Sequence, residues 1–295
     1  MGTINVRANN CIGGRLAIST TKKYEDLRFN DDFMFGRVIS EYPDICKELL
    51  EVILDTKIEA IYPETQKSIT ATVDGKDIRL DAYVVDDESK VYDVEMQNHS
   101  GADTRREPEL PKRSRYYQGM IDLAILNGGQ RYQSLKTSYI IFICTYDPFG
   151  AGLKRYTFKN LCLEDPAISL DDQSVKIFLN TKGTRSGRIE ISEELQHFLD
   201  YMNTGETGNS FTRRLDEAIE SVRENKNWRH EYMKELIVMQ EKFDEGIEQG
   251  LEQGQRFMLF GLVNDGLITL ETAANRLGLD EASFEVEYRA YLEKK

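Results

Sequence analysis

Histidine, cysteine, tryptophan and proline are all scarce in this 295-residue chain, which has three, four, one and six of them respectively. The four cysteines (Cys11, Cys46, Cys144 and Cys162) lie far apart and form no Cys-x-x-Cys pair. That pattern argues against a zinc site or a disulfide framework and fits a reducing cytoplasm. Long apolar runs are also missing. The longest lies within Ser138–Cys144, far short of the roughly 20 residues that a membrane-spanning helix needs. No basic-then-apolar leader opens the sequence, so no secretory signal is expected. Gly183 and Gly187 lack the Gly-Lys-Ser/Thr that completes a phosphate-binding loop, so no nucleotide cofactor is expected. Positive charge is in deficit, with 38 Lys and Arg against 51 Asp and Glu and a net charge of −13. Such a balance excludes a surface that attracts nucleic acid everywhere, though not a local basic groove. What is present is 40% apolar residues, enough for a folded core.

Residues 1–22 are polar and aperiodic and read as a flexible tail. Asn30-Asp31-Asp32 offers helix-capping side chains ahead of Phe33, and the apolar spacing to Leu54 predicts two short helices broken at Tyr42-Pro43. After Lys67 the period changes to two. Ile69, Ala71 and Val73 alternate with polar residues, Asp74-Gly75 supplies turn chemistry, and strands follow at 78–85 and 91–97. This predicts an antiparallel meander over 69–97. A helix is expected at about 112–126, a doubly buried strand at 137–146, and weaker strands near Tyr156 and Val175–Leu179. A mixed α/β core over 23–202 results, followed by a linker near 203–209 and a helical module over 203–295. That module contains a four-residue repeat with Gly246, Gly250 and Gly254, and a helical hairpin at its end suited to packing or homo-oligomerisation.

Three polar residues on the meander carry the chemistry. Glu95 and Gln97 are two apart on one strand and share a face, and pairing through the 86–89 turn brings Asp81 level with one of them. Two carboxylates and an amide oxygen suit a hard, oxygen-seeking divalent cation such as Mg²⁺ or Mn²⁺. Just downstream, Arg105, Arg106, Lys112, Arg113, Arg115, Arg131 and Lys136 face only Glu107, Glu109 and Asp122, and are interleaved with Tyr116, Tyr117 and Tyr132. A basic, aromatic helix beside a carboxylate pair is what a phosphodiester-handling site requires. His99 reads as a solvated loop histidine.

The stretches Phe29-Asn30-Asp31-Asp32-Phe33-Met34-Phe35, Val91-Tyr92-Asp93-Val94-Glu95-Met96-Gln97, Leu110-Pro111-Lys112-Arg113-Ser114-Arg115-Tyr116-Tyr117-Gln118 and Tyr139-Ile140-Ile141-Phe142-Ile143-Cys144, the last followed by Asp147-Pro148-Phe149-Gly150, together resemble the recombination-promoting nuclease family, whose members are also described as PD-(D/E)XK transposases. The resemblance implies a restriction-endonuclease-like α/β fold, with a mixed sheet flanked by helices and a C-terminal all-helical extension. It implies metal-dependent hydrolysis of DNA, with Asp81 and Glu95 as ligands of Mg²⁺ or Mn²⁺. Gln97 stands where many relatives carry lysine, and an amide supplies no positive charge. Cationic help is then expected from 112–115. Leu80 replaces the motif's proline. Glu48, with Glu51 the alternative, is the candidate for an additional metal-binding acid. Lys112, Arg113, Arg115, Tyr116 and Gln118 are the candidate DNA contacts, with Gln118 expected to face the site. A catalytically silent binding relative and an oligomeric scaffold are the competing readings.

Overall fold

The computed structural model describes residues 22–70, 77–98 and 109–293. Two helices open it, α1 (Asp32–Glu41) and α2 (Pro43–Leu54), separated at Tyr42 as the sequence pattern predicts. Pro43 starts α2, where its missing N–H has no helical partner to lose. Strands β1 (Ile61–Ile69), β2 (Ile78–Asp86) and β3 (Val91–Gln97) form an antiparallel meander. Helix α3 (Leu110–Ile125) then crosses to β4 (Ser138–Cys144), which pairs parallel to β3. After β5 (Arg155–Phe158), β6 (Ser174–Asn180) pairs parallel to β4 and antiparallel to β5. The resulting six-stranded mixed sheet has the order β1-β2-β3-β4-β6-β5. Strand β4 is central, and its run from Ile140 to Cys144 is fully buried, which is why its sequence is continuously apolar rather than alternating.

The first strand lies earlier than its period suggested. Only Ile69 of the expected strand falls within β1, and Ala71, Val73 and the Asp74-Gly75 turn lie outside the described residues. The stretch from Ile61 to Lys67 is an edge strand, half exposed along its length and able to carry Pro63, so it lacks the apolar alternation of a covered strand. The tail to residue 21, His99, Arg105 and Arg106 also lie outside the described residues.

Helix α3 covers one face of the sheet, with Leu110, Tyr117, Met120 and Ile121 packed against Ile140, Phe142 and Phe178. Helices α4 (Glu193–Thr204) and α5 (Ser210–Glu224) follow. The Asn209 side chain caps α5 by accepting the Thr212 N–H at 2.9 Å. The compact unit runs through Arg229, past the boundary expected at 202. The reason is that α5 is bound back to the start of the fold. The Tyr24 hydroxyl donates to the Val222 carbonyl at 2.5 Å, and Arg223 Nε donates to the Leu27 carbonyl at 3.1 Å. The 203–209 stretch is therefore a turn inside the unit.

The second unit begins at His230. It contains most of the long helix α6 (Lys226–Asn264), then α7 (Leu270–Leu277) and α8 (Glu281–Glu293). Leu259, Phe260, Ala273, Ala274 and Phe284 form its core, so the end of the chain is a helical hairpin packed on the last turns of α6.

Candidate active site

The turn between β2 and β3 sets the register on which the site depends. The Asp86 carboxylate accepts from the Lys90 N–H at 2.7 Å and from the Tyr92 hydroxyl at 2.7 Å. Val85 then lies opposite Val91, and pairing runs up to Ala82 opposite Val94. The next step levels Asp81 with Glu95, and there side chains replace the backbone ladder. The Asp81 N–H donates to Glu95 Oε1 at 2.9 Å, and the Met96 N–H donates to Asp81 Oδ2 at 3.1 Å. Each carboxylate is thus held by the other's strand.

Helix α3 closes the site from above. The Arg113 guanidinium pairs with Glu95 Oε2 and donates to Gln97 Oε1 at 3.1 Å. Its Nε donates to the Tyr117 hydroxyl at 2.8 Å, and the group lies over the Tyr117 ring. Gln97 donates its amide to the Met96 carbonyl. A guanidinium from a different element, within the 112–115 segment, thus stands beside Gln97 and Glu95.

Burial governs the acids. Glu95 is fully buried, and that desolvation, together with the Asp81 charge, pushes its carboxyl up to about 7 against the pull of Arg113. Half-buried Asp81 is raised by desolvation, lowered by the Met96 N–H, and raised again by Asp32. Asp32, exposed at the start of α1, is raised by the protein crowded around it and by Asp31, while Arg113 and Arg79 lower it. Asp93, two residues before Glu95 on the same face, is fully buried, and among the described residues no group donates a hydrogen bond of good geometry to its oxygens, its nearest acidic neighbour being Glu95. Burial first, then the charges of Glu95 and Asp81, hold its carboxyl well above the usual range.

Asp32 and Asp93 stand outside the sequence-derived set of site residues. Asp93 carried a signal in the alternation Asp93-x-Glu95-x-Gln97. The sequence offers Asp32 as a helix-capping residue, and its proximity to Asp81 is a tertiary fact. Glu48, by contrast, is not brought to this site. It sits on α2 and pairs with Arg214 of α5, while Glu51 pairs with Lys57 at 3.1 Å and accepts the Ile58 N–H. Both acids serve the packing of α2. Gln118 also faces elsewhere, bridging Ser138 Oγ at 2.7 Å, Ser174 Oγ at 3.0 Å and Asp122 at 3.0 Å. Ser138 is level with Val91, at the opposite end of β3 from Gln97, so Gln118 clamps α3 to the starts of β4 and β6. Lys112, Arg115 and Tyr116 are exposed on the outer face of α3 beside the site.

Among the described residues no three His, Cys, Asp or Glu side chains form a ready metal cage. The donor set nevertheless suits one class of ion. Asp81 and Glu95 offer oxygen alone, and among the described residues nothing donates to Asp81 Oδ1. A small hard cation that keeps most of its waters needs only one or two carboxylates.

A family model described as PD-(D/E)XK nuclease family transposase matches residues 29–243. No curated protein and no solved structure matches the chain.

Proposed function

The chain belongs to the PD-(D/E)XK nuclease family of transposases, and on that premise we propose that it is a metal-dependent DNA endonuclease of the recombination-promoting type, acting in the cytoplasm. The observation that carries this reading is the reciprocal bonding of Asp81 and Glu95 at the point where β2 and β3 part, with Arg113 beside them. Asp81 and Glu95 would hold Mg²⁺ or Mn²⁺, which when bound acidifies water and offsets charge on the phosphate. Arg113 holds Gln97 and Glu95 in place and adds a permanent positive charge next to the scissile group. Gln97 has an amide dipole to orient water. Asp32 adds negative charge on the α1 side, favouring cation capture. Lys112 and Arg115 meet backbone phosphates, and Tyr116 offers a ring surface to a base or sugar. Purified protein is expected to nick or cut DNA with Mg²⁺ or Mn²⁺, and Asp81→Ala and Glu95→Ala to lose cleavage. Full cleavage by both variants would reject the assignment.

A second reading concerns partners. Between Met233 and Met258, α6 has an exposed apolar stripe. Met233, Met239, Phe243, Leu251 and Met258 fall within about a third of the helix circumference, while Lys234, Glu241, Glu245 and Glu252 occupy the other side. Gly246, Gly250 and Gly254 have nothing within 4 Å of where a Cβ would stand, and each costs the helix about 1 kcal/mol. Such a helix gains its stability from covering the stripe. These residues expose on the order of several hundred Å², near the ~800 Å² per partner of a standard interface. A second copy of α6 is the proposed cover. Sedimentation should show a dimer or higher oligomer that Phe243→Glu with Leu251→Glu dissociates, and a monomeric parent protein would count against it.

A further inference from the structure

Gln66 has φ of +54° in the middle of β1, a left-handed conformation that glutamine rarely adopts. The ladder between β1 and β2 runs from Ile61 opposite Asp86 to Thr65 opposite Ala82, and resumes at Lys67 opposite Leu80. The one step it skips is the one at which Gln66 faces Asp81. Up to and at that step, Thr65 and Gln66 line a small cavity with Phe33, Gly36 and Arg37 of α1. After it, the chain has changed faces. Lys67 Nζ sits 3.8 Å above the Tyr83 ring, and Ile69, Ile78 and Leu80 join Tyr83, Leu110 and Tyr117 in the core beneath α3. Glu64 and Lys67 also pair at 3.2 Å, although residues three apart in a regular strand point to opposite faces.

Asp81 is the β2 residue at this switch. Regular alternation would put it beneath α3 beside Tyr83. Instead it stands in the seam between Leu80, turned to α3, and Ala82, level with Thr65 on the α1 side. From the seam its carboxylate reaches the Met96 N–H and lies near both Asp32 and Arg113.

We propose that the left-handed backbone at Gln66 is a positioning device for the reaction: by forcing the face switch it presents the half-buried Asp81 carboxylate in the seam opposite Glu95, where it serves as a ligand of a divalent cation. This rests on the reading of Asp81 and Glu95 as the active-site acids. What matters is the conformation of residue 66 and not its side chain, so glycine substitutes for glutamine and a β-branched residue does not.

The test uses the full-length chain, Mn²⁺ titration by calorimetry, and steady-state cleavage of plasmid DNA. Gln66→Gly should keep near-parental Mn²⁺ affinity and kcat. Gln66→Val should melt cooperatively yet bind Mn²⁺ more weakly and lose on the order of 10²-fold in kcat, with KM for DNA little changed. Should Gln66→Val not fold, Gln66→Ala takes its place, and Gln66→Gly is expected to exceed it in both readouts. Parental Mn²⁺ affinity and kcat in Gln66→Val or Gln66→Ala, alongside an inactive Asp81→Ala, would overturn the proposal. So would a Gln66→Gly protein as impaired as Gln66→Val. Normal cleavage by Asp81→Ala would remove the site assignment itself.

Discussion

Glu95 titrates near neutrality because burial and the Asp81 charge both disfavour its ionised form while Arg113 opposes them. A cation bound there must displace a proton. Mn²⁺ affinity, measured by calorimetry, is therefore expected to rise between about pH 6 and 8. Arg113→Met removes the opposing charge and should move that midpoint up by about one unit. The same shift acts on stability without metal. The folded carboxyl lies above its unfolded value, so its contribution is fully present below the ordinary carboxyl range and is lost as pH rises through about 7. The melting midpoint should carry a corresponding downward component over that interval, smaller when Mn²⁺ is present. Strand period puts Glu95 and Gln97 on one face and the short turn levels Asp81 with Glu95, but the face on which Asp81 emerges is not given by that period. Nor could it show that Glu48 pairs with Arg214 or that Asp32 nears Asp81, because both depend on how α1, α2 and α5 pack.

Helix α3 links the site to the sheet. Its inner face buries Leu110, Tyr117, Met120 and Ile121, its first turns deliver Arg113, and Gln118 pins it to the starts of β4 and β6. Leu123, apolar by sequence, is 73% exposed because it lies on the outer face with Arg115 and Tyr116. Gly119 lies on the outer face as well, and a Cβ there would meet nothing within 4 Å. Gly119→Ala should therefore stabilise the protein by about 1 kcal/mol in urea unfolding. Strand β1 shows the limit of reading one element alone. An edge strand with a left-handed Gln66 has no clean period, and only its partner β2 defines it.

Across the whole molecule, charge is divided unevenly. From Gly205 onward there are nineteen Asp and Glu against twelve Lys and Arg, so about half of the −13 lies in the helical third. Lys112, Arg115, Arg131 and Lys136 supply exposed positive charge on α3 and the loop after it. DNA binding should be salt-sensitive, with log K falling against log salt at a slope of about −3 to −4 if all four cations meet phosphates. A Lys112→Ala, Arg115→Ala double variant should reduce that slope by about two in filter binding or fluorescence titration. A slope near zero in the parent would remove the phosphate-binding role of this surface.

By itself the sequence determined the α/β class, the β2–β3 hairpin, the doubly buried β4 and the levelling of Asp81 with Glu95 beside Gln97. Each follows from hydrophobic period or from contacts a few residues apart, which local chemistry dictates. Tertiary structure alone decided that Arg113 pairs with Glu95 and reaches Gln97, that Glu48 pairs with Arg214 and Gln118 with Ser138 and Ser174, that Asp32 approaches Asp81, and that the first unit runs to Arg229. Those outcomes depend on how helices dock on the sheet, and docking is set by the shape of the whole core rather than by any one segment's pattern.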